Sequence, residues 1–168
     1  TSRLIDREVN SSIFFKCENF QRAGAYKMRG ATNAILQLSE EQKKCGVVTH
    51  SSGNFAQALS LAAQSVGVAA HIVMPDTAPE VKKVGVREYG GKIYECKPTV
   101  DARQALADEI ALKTGATFVH PSNDNNVILG QGTAAMELLY EQPDLDFIFC
   151  PVGGGGLIAG SALAAKYF

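Results

Sequence analysis

From Ile13 to the end of the chain, short apolar runs alternate with segments whose apolar residues return every three or four positions. This alternation constrains the fold more than any other feature. A parallel neighbour cannot be reached by a tight hairpin; it needs a crossover, and a helix supplies one. The expected class is therefore α/β, with open parallel sheets and helices on both faces.

The apolar runs predict strands at Ile13–Cys17, Val47–His50, Val68–Met74, Ile93–Cys96, Thr117–His120 and Leu145–Cys150. Met28, Ala31, Ile35 and Leu38 recur at helical spacing, so a helix starts near Lys27. Ser39 with Gln42, and Thr77 with Glu80, have the spacing of capping boxes. Phe55, Leu59, Ala62 and Val66 mark a further helix stopped by Gly67, and Asp101–Lys113 another, with Gly115 just past it. The spacing predicts helices over about 130–141 and from Leu157 to the C-terminus, with a polar turn at Pro121–Asn126. Two polar joints, near Gly46 and at Pro121–Asn126, divide the chain into an opening piece (1–46), a middle lobe (47–122) and a closing piece (123–168). A chain that opens on Thr1 and runs a helix into its last residue is expected to be a piece of a longer one.

Three segments carry the chemistry. Gly153-Gly154-Gly155-Gly156 follows an apolar run and precedes a helix, where glycines let backbone N–H groups close on a phosphate. Gly154-x-Gly156-x-x-Ala159 also fits a degenerate dinucleotide fingerprint, so a nucleotide competes with a simple phosphate. Ser51-Ser52-Gly53-Asn54 sits at a second strand-to-helix turn and suits a carboxylate, although Ser and Asn are equally favoured there as plain helix caps. Lys27 lies between Gly24 and a helix start, where the dipole disfavours an ammonium ion. Arg29 is either a second influence on that amine or a surface charge. Arg103, early in a helix, hints at an anionic partner.

The 16 basic and 17 acidic residues leave a net charge of −1, which gives no electrostatic case for nucleic acid or an anionic membrane. No apolar run reaches the length of a membrane span, so no membrane partner is expected. Cys17, Cys45, Cys96 and Cys150 are far apart and lack metal-ligand spacing, and His50, His71 and His120 are scattered. Reduced core thiols of a cytoplasmic protein and structural histidines are expected, with no metal site.

Taken together, Gly24–Gly30 (G-A-Y-K-M-R-G), Ser51–Asn54, Gly130–Thr133 (G-Q-G-T) and Pro151–Leu157 (P-V-G-G-G-G-L) resemble the fold-type II enzymes that use pyridoxal 5'-phosphate (PLP), the tryptophan synthase β family. Within it the pattern is similar to serine racemases and serine/threonine dehydratases. Order and spacing match along the whole chain. Ala25 stands where the family usually has serine, Phe55 where it has histidine, and Arg22-Ala23 where a Lys-Thr pair is common.

The resemblance implies a partial tryptophan synthase β-like fold. It implies Lys27 as the Schiff-base lysine and the base on one face of the substrate, with Tyr26 beside the cofactor. Asn54 would meet the PLP phenolic oxygen, and Gly153, Gly154, Gly155, Gly156 and Leu157 would hold the phosphate. Ser51, Ser52, Gly53 and Asn54 would hold the substrate carboxylate, with Arg103 helping. Ser52 matches the acid/base on the opposite face in racemases. Gln57 and Tyr89 match positions near a nucleotide effector site. The reactions implied are ammonia loss from, or racemisation of, serine, threonine or 3-hydroxyaspartate. Other reactions on this fold (β-replacement, threonine synthesis) and a nucleotide-binding module or inactive fragment remain the alternatives. A homodimer, and a divalent cation such as Mg or Mn bound by a further C-terminal half, are implied as well.

Overall fold

The computed structural model describes residues 1–168. Its helices are α1 (Arg3–Val9), α2 (Lys27–Leu36), α3 (Glu40–Cys45), α4 (Asn54–Gln64), α5 (Glu80–Glu88), α6 (Val100–Thr114), α7 (Asn125–Glu141) and α8 (Gly156–Tyr167). Its strands are β1 (Val47–His50), β2 (Ala70–Pro75), β3 (Lys92–Cys96) and β4 (Thr117–Phe118). All pairings are parallel, and the strand order is β3-β2-β1-β4. From β1 the chain winds outward through β2 and β3, then crosses back to place β4 on the other side of β1. The winding direction therefore reverses between β1 and β4, and in open α/β sheets the crevice at the carboxyl ends of such a strand pair is where ligands bind.

Side-chain alternation along the strands feeds two cores. Val47, Ile72 and Met74 pack with Phe55, Leu59 and Ala62 of α4. Val48 and Val73 pack on the other face with Ala107 and Ile110 of α6. The α/β class and the two helix-covered faces are as the sequence implies. So is the Ser39–Gln42 capping box, in which each residue's side chain takes the other's backbone N–H, at 3.2 and 2.8 Å. Gly115 ends α6 in the left-handed region at φ 74°.

Four expectations need correction. Ile13–Cys17 forms no strand, and neither does Leu145–Cys150. No neighbouring strand pairs with either segment, and Phe147 and Phe149 are left 77% and 89% exposed. The Thr77–Glu80 capping box is absent: Pro79 is the cap of α5, with no side-chain cap bond, and Glu80 pairs instead with Arg87. Helix α7 starts at Asn125, not near Gly130, because the Asp124 carboxylate accepts the Val127 N–H at 3.0 Å and caps it there.

Helices α2, α7 and α8 pack in series, and glycines set their separation. A Cβ on Gly130 would fall 2.6 Å from the Gly30 Cα, and one on Gly132 would fall 2.6 Å from the Gly160 carbonyl oxygen. Ion pairs tie the N-terminal segment to the same helices. Arg29 donates to both oxygens of Glu18 and both of Glu137, at 2.7–2.8 Å, and Lys16 reaches Glu137 at 2.8 Å. Hydrogen bonds from Arg29 and Lys16 hold the Glu137 carboxyl down at about 2, against an ordinary 4.5. A depressed carboxylate contributes stability that is complete above its unfolded value and lost as pH falls through its folded value. Wild-type stability should therefore drop between pH 4.5 and about 2 by more than that of Glu137→Gln, measured by urea denaturation across that window.

Candidate active site

Lys27 is the first residue of α2 and is half-buried. Its Nζ donates to the Pro121 carbonyl at 2.7 Å and lies 5.3 Å from the Tyr26 ring centroid and 5.7 Å from that of Phe55. Burial pushes the amine below the ordinary lysine value. Arg29 plays no part in this, because its guanidinium is turned into the Glu18–Glu137 cluster. Nor is it a surface charge, its side chain being only 10% exposed.

Pro121 follows β4 at the carboxyl end of the sheet. The next residue, Ser122, supports the glycine loop: a Cβ on Gly154 would strike the Ser122 side chain, and one on Gly156 would fall 2.9 Å from the Ser122 carbonyl oxygen. Adjacent residues of one turn thus meet the lysine amine and the glycine loop. Gly155 has φ 89° and caps α8, while Gly156 is its first residue. No protein atom lies within 4 Å of where a Cβ on Gly153 or Gly155 would stand. An open glycine cradle at a helix N-terminus, with a desolvated amine on the same turn, fits a group that carries both an aldehyde and a phosphate. Tyr26 adds an aromatic wall whose hydroxyl is pushed up by burial and by nearby Cys150, and Leu157 is buried just behind the loop.

The Ser51–Asn54 loop leaves the carboxyl end of β1, next to β4. The cap of α4 is Gly53, with no side-chain cap bond, so the serines and Asn54 are not spent on capping. The Ser51 hydroxyl accepts the Gly53 N–H at 3.4 Å. Asn54 Oδ1 accepts from Lys82 Nζ at 3.1 Å. Ser52 is half-buried in the same loop. Phe55, in the position usually held by histidine, faces the Lys27 amine.

Not every residue picked from sequence gathers here. Arg103 is turned to its own helix, its Nε donating to the Thr99 carbonyl at 3.2 Å, and no hydrogen bond joins it to the Ser51–Asn54 loop. Its neighbour Gln104 reaches inward instead, meeting His50 Nε2 at 3.0 Å. Gln57 and Tyr89 belong to the α4–α5 pair, with the Gln57 amide packed against Gly85. His50 and His120, taken from sequence as scattered structural residues, are edge-to-face at 5.7 Å in the β1–β4 crevice. Their sequence separation hides this, and only the parallel pairing of β1 with β4 brings them together. No group of three or more His, Cys, Asp or Glu is arranged to hold a metal, and no helix is long and apolar enough to cross a membrane.

The family model described as "Pyridoxal-phosphate dependent enzyme" matches residues 1–167. A β-hydroxyaspartate dehydratase of Paracoccus denitrificans is 49% identical over 97% of this chain and 52% of its own length. A serine racemase of Oryza sativa is 49% identical over 99% of this chain and 49% of its own. Among solved structures, maize serine racemase superposes with a TM-score of 0.96 at 49% identity, covering 99% of this chain and 50% of that one. The processed form of threonine deaminase isoform 2 from Solanum lycopersicum does so at 0.83 and 43%, covering 89% and 41%. The chain spans about half the length of the curated relatives it matches. Its residues 1–167, with the lysine, the two glycine turns and the α/β frame that joins them, belong to the pyridoxal-phosphate dependent enzyme family.

Proposed function

We propose that this chain supplies the lysine, the phosphate cradle and the substrate loop of a PLP-dependent enzyme that removes ammonia from small hydroxy amino acids, racemises them, or does both. The observation that carries this is the half-buried Lys27 amine, bonded to Pro121 beside the Ser122-supported glycine loop. The relatives named for serine racemisation and β-hydroxyaspartate dehydration support the substrate class.

When bound, PLP withdraws electrons from the substrate Cα and so makes its proton removable. The residues of this chain do the rest. Lys27 Nζ, uncharged more readily because it is buried, takes the Cα proton from one face. The N–H groups of Gly153–Gly156 would hold the phosphate at the start of α8. The Ser51–Asn54 loop would hold the substrate carboxylate, and Asn54, whose Oδ1 is taken by Lys82, would offer its Nδ2 to the phenolic oxygen. The Ser52 hydroxyl returns a proton to Cα on the opposite face, which inverts the centre. Departure of the β-hydroxyl as water, carrying the proton that Lys27 took from Cα, instead commits the substrate to ammonia loss. Arg103 joins the carboxylate only by leaving Thr99, and Gln57 and Tyr89 are assigned to effector binding on the α4–α5 pair.

The test is to add PLP, fix it with borohydride and map the labelled lysine by mass spectrometry. L-serine, L-threonine and 3-hydroxyaspartate are then assayed for keto acid and for the inverted amino acid. Label on Lys27 with either product supports the reading, and label elsewhere, or β-replacement products alone, sinks it. Ser52→Ala should lower racemisation by about 10²-fold or more while ammonia loss falls far less. Equal losses would remove Ser52 from its assigned face. The homodimer, the Mg or Mn ion and the cytoplasmic setting belong to the same proposal. Sedimentation, assays with and without chelator, and cell fractionation test them.

A further inference from the structure

The turn after β4 is held by a side chain that makes no hydrogen bond to the lysine or the glycine loop. His120 Nδ1 accepts two backbone N–H groups, that of Ser122 at 3.1 Å and that of Asn123 at 2.8 Å. A ring nitrogen that accepts must carry a lone pair, so the imidazole is neutral and its proton is on Nε2. The residue between the ring and these amides, Pro121, gives its carbonyl to Lys27 Nζ, and Ser122 lies under Gly154 and Gly156. We propose that His120 is a positioning residue: its Nε2-protonated imidazole clamps the Pro121–Asn123 turn, and through that turn sets the places of the Lys27 amine and the glycine cradle together. The proposal rests on the reading of those two features as the amine and phosphate sites.

The surroundings suit the clamp. His50 of β1 meets the ring edge-to-face at 5.7 Å, Phe118 lies at 6.2 Å, Lys27 faces it from α2 and Asp124 from its own turn. Burial, His50 and Lys27 all hold His120 below the ordinary histidine value, and only Asp124 pulls the other way. A proton on Nδ1 would set a donor against two donors and break both bonds. Acidification through the folded value of His120 therefore opens the turn, and the amine and the cradle lose their common support.

The experiment uses protein labelled uniformly with 15N and, in a second sample, with 13C-lysine, without added cofactor. At neutral pH His120 should show an unprotonated Nδ1 and a protonated Nε2, and the Ser122 and Asn123 amide resonances should shift as the ring titrates. His120→Asn keeps an acceptor in the same place but does not titrate. Those amides should then be insensitive to acid, and the Lys27 titration midpoint should stay below the ordinary lysine value. In His120→Leu that midpoint should move up toward the ordinary value. A proton on Nδ1 at neutral pH overturns the proposal. So does a Lys27 midpoint unchanged in His120→Leu. Should His120→Leu fail to fold, the wild-type ring state and the acid response of His120→Asn decide. Persistence of the wild-type acid response in His120→Asn is the overturning result. Loss of borohydride-fixed PLP on wild-type Lys27 would sink the cofactor reading instead, and it leaves these resonances untouched.

Discussion

Lys27→Ala should abolish borohydride-fixed PLP at this position and lower turnover by at least the ~10²- to 10⁴-fold that a positioned acid–base group supplies. Five of the chain's other lysine amines are engaged by side-chain oxygens. Lys83 is engaged by Glu95 at 2.7 Å, Lys43 by Glu40 at 2.8 Å and Lys16 by Glu137 at 2.8 Å. Lys82 is on Asn54, and Lys113 is exposed beside Glu109. Lys27, lowered by burial, has a neutral carbonyl partner and no carboxylate to hold its proton. Lys27→Arg separates the two parts of the effect. It retains an N–H donor for the Pro121 carbonyl, but an arginine is not a free amine at neutral pH. Both variants should lose the label, and Lys27→Ala, which also loses the bond to Pro121, should unfold more easily than the wild type. Full labelling of Lys27→Ala at another lysine would remove Lys27 from the centre of the site. The readouts are mass mapping after reduction and a urea midpoint.

Gly130→Ala should be the most destabilising single methyl added to the α2–α7 contact, costing about 1–3 kcal/mol if the helices part and more if they cannot. The new Cβ would lie 2.6 Å from the Gly30 Cα, 2.7 Å from the Arg29 carbonyl oxygen and 2.8 Å from the Asn33 Cβ. Two of these are backbone atoms of a helix already held by the Glu18–Arg29–Glu137 cluster, so no flexible side-chain tip can yield. Separation of α2 from α7 would also move Lys27, the first residue of α2, away from Pro121. PLP labelling should therefore weaken along with the urea midpoint. Gly53→Ala is the contrasting substitution. No protein atom lies within 4 Å of its new methyl and its φ is −122°, so the fold should tolerate it. Equal midpoints for the two variants would show that the α2–α7 spacing is not set by these glycines.

Local chemistry was legible where a short stretch decides its own conformation. The capping box at Ser39–Gln42 and the left-handed stop at Gly115 depend on residues within a turn of each other, so the sequence carries them complete. The start of α2 at Lys27 and the turns that open α4 at Ser51–Asn54 and α8 at Gly153–Gly156 were legible for the same reason, although only the first of these turns follows a strand. Local signals also misled. Leu145–Cys150 has the composition of a buried strand, but a strand exists only through its neighbour's hydrogen bonds, and none is beside it. The Thr77–Glu80 spacing lost to Pro79, whose fixed φ already suits a helix entry.

The sequence by itself determined the α/β class and the family, because periodicity, turn glycines and one lysine in a spaced pattern are properties of the chain. The tertiary structure alone decided how those residues meet. The return of the chain to place β4 beside β1 brings His120 and Pro121 to Lys27, across 94 residues for the carbonyl bond. Helix packing turns Arg29 away from the lysine and into two carboxylates, and Arg103 is held by its own helix instead of the loop it was expected to serve. The desolvation that lowers Lys27 likewise comes from packing. Each of these depends on long-range closure, whose geometry is set by the whole sheet and not by any window of sequence.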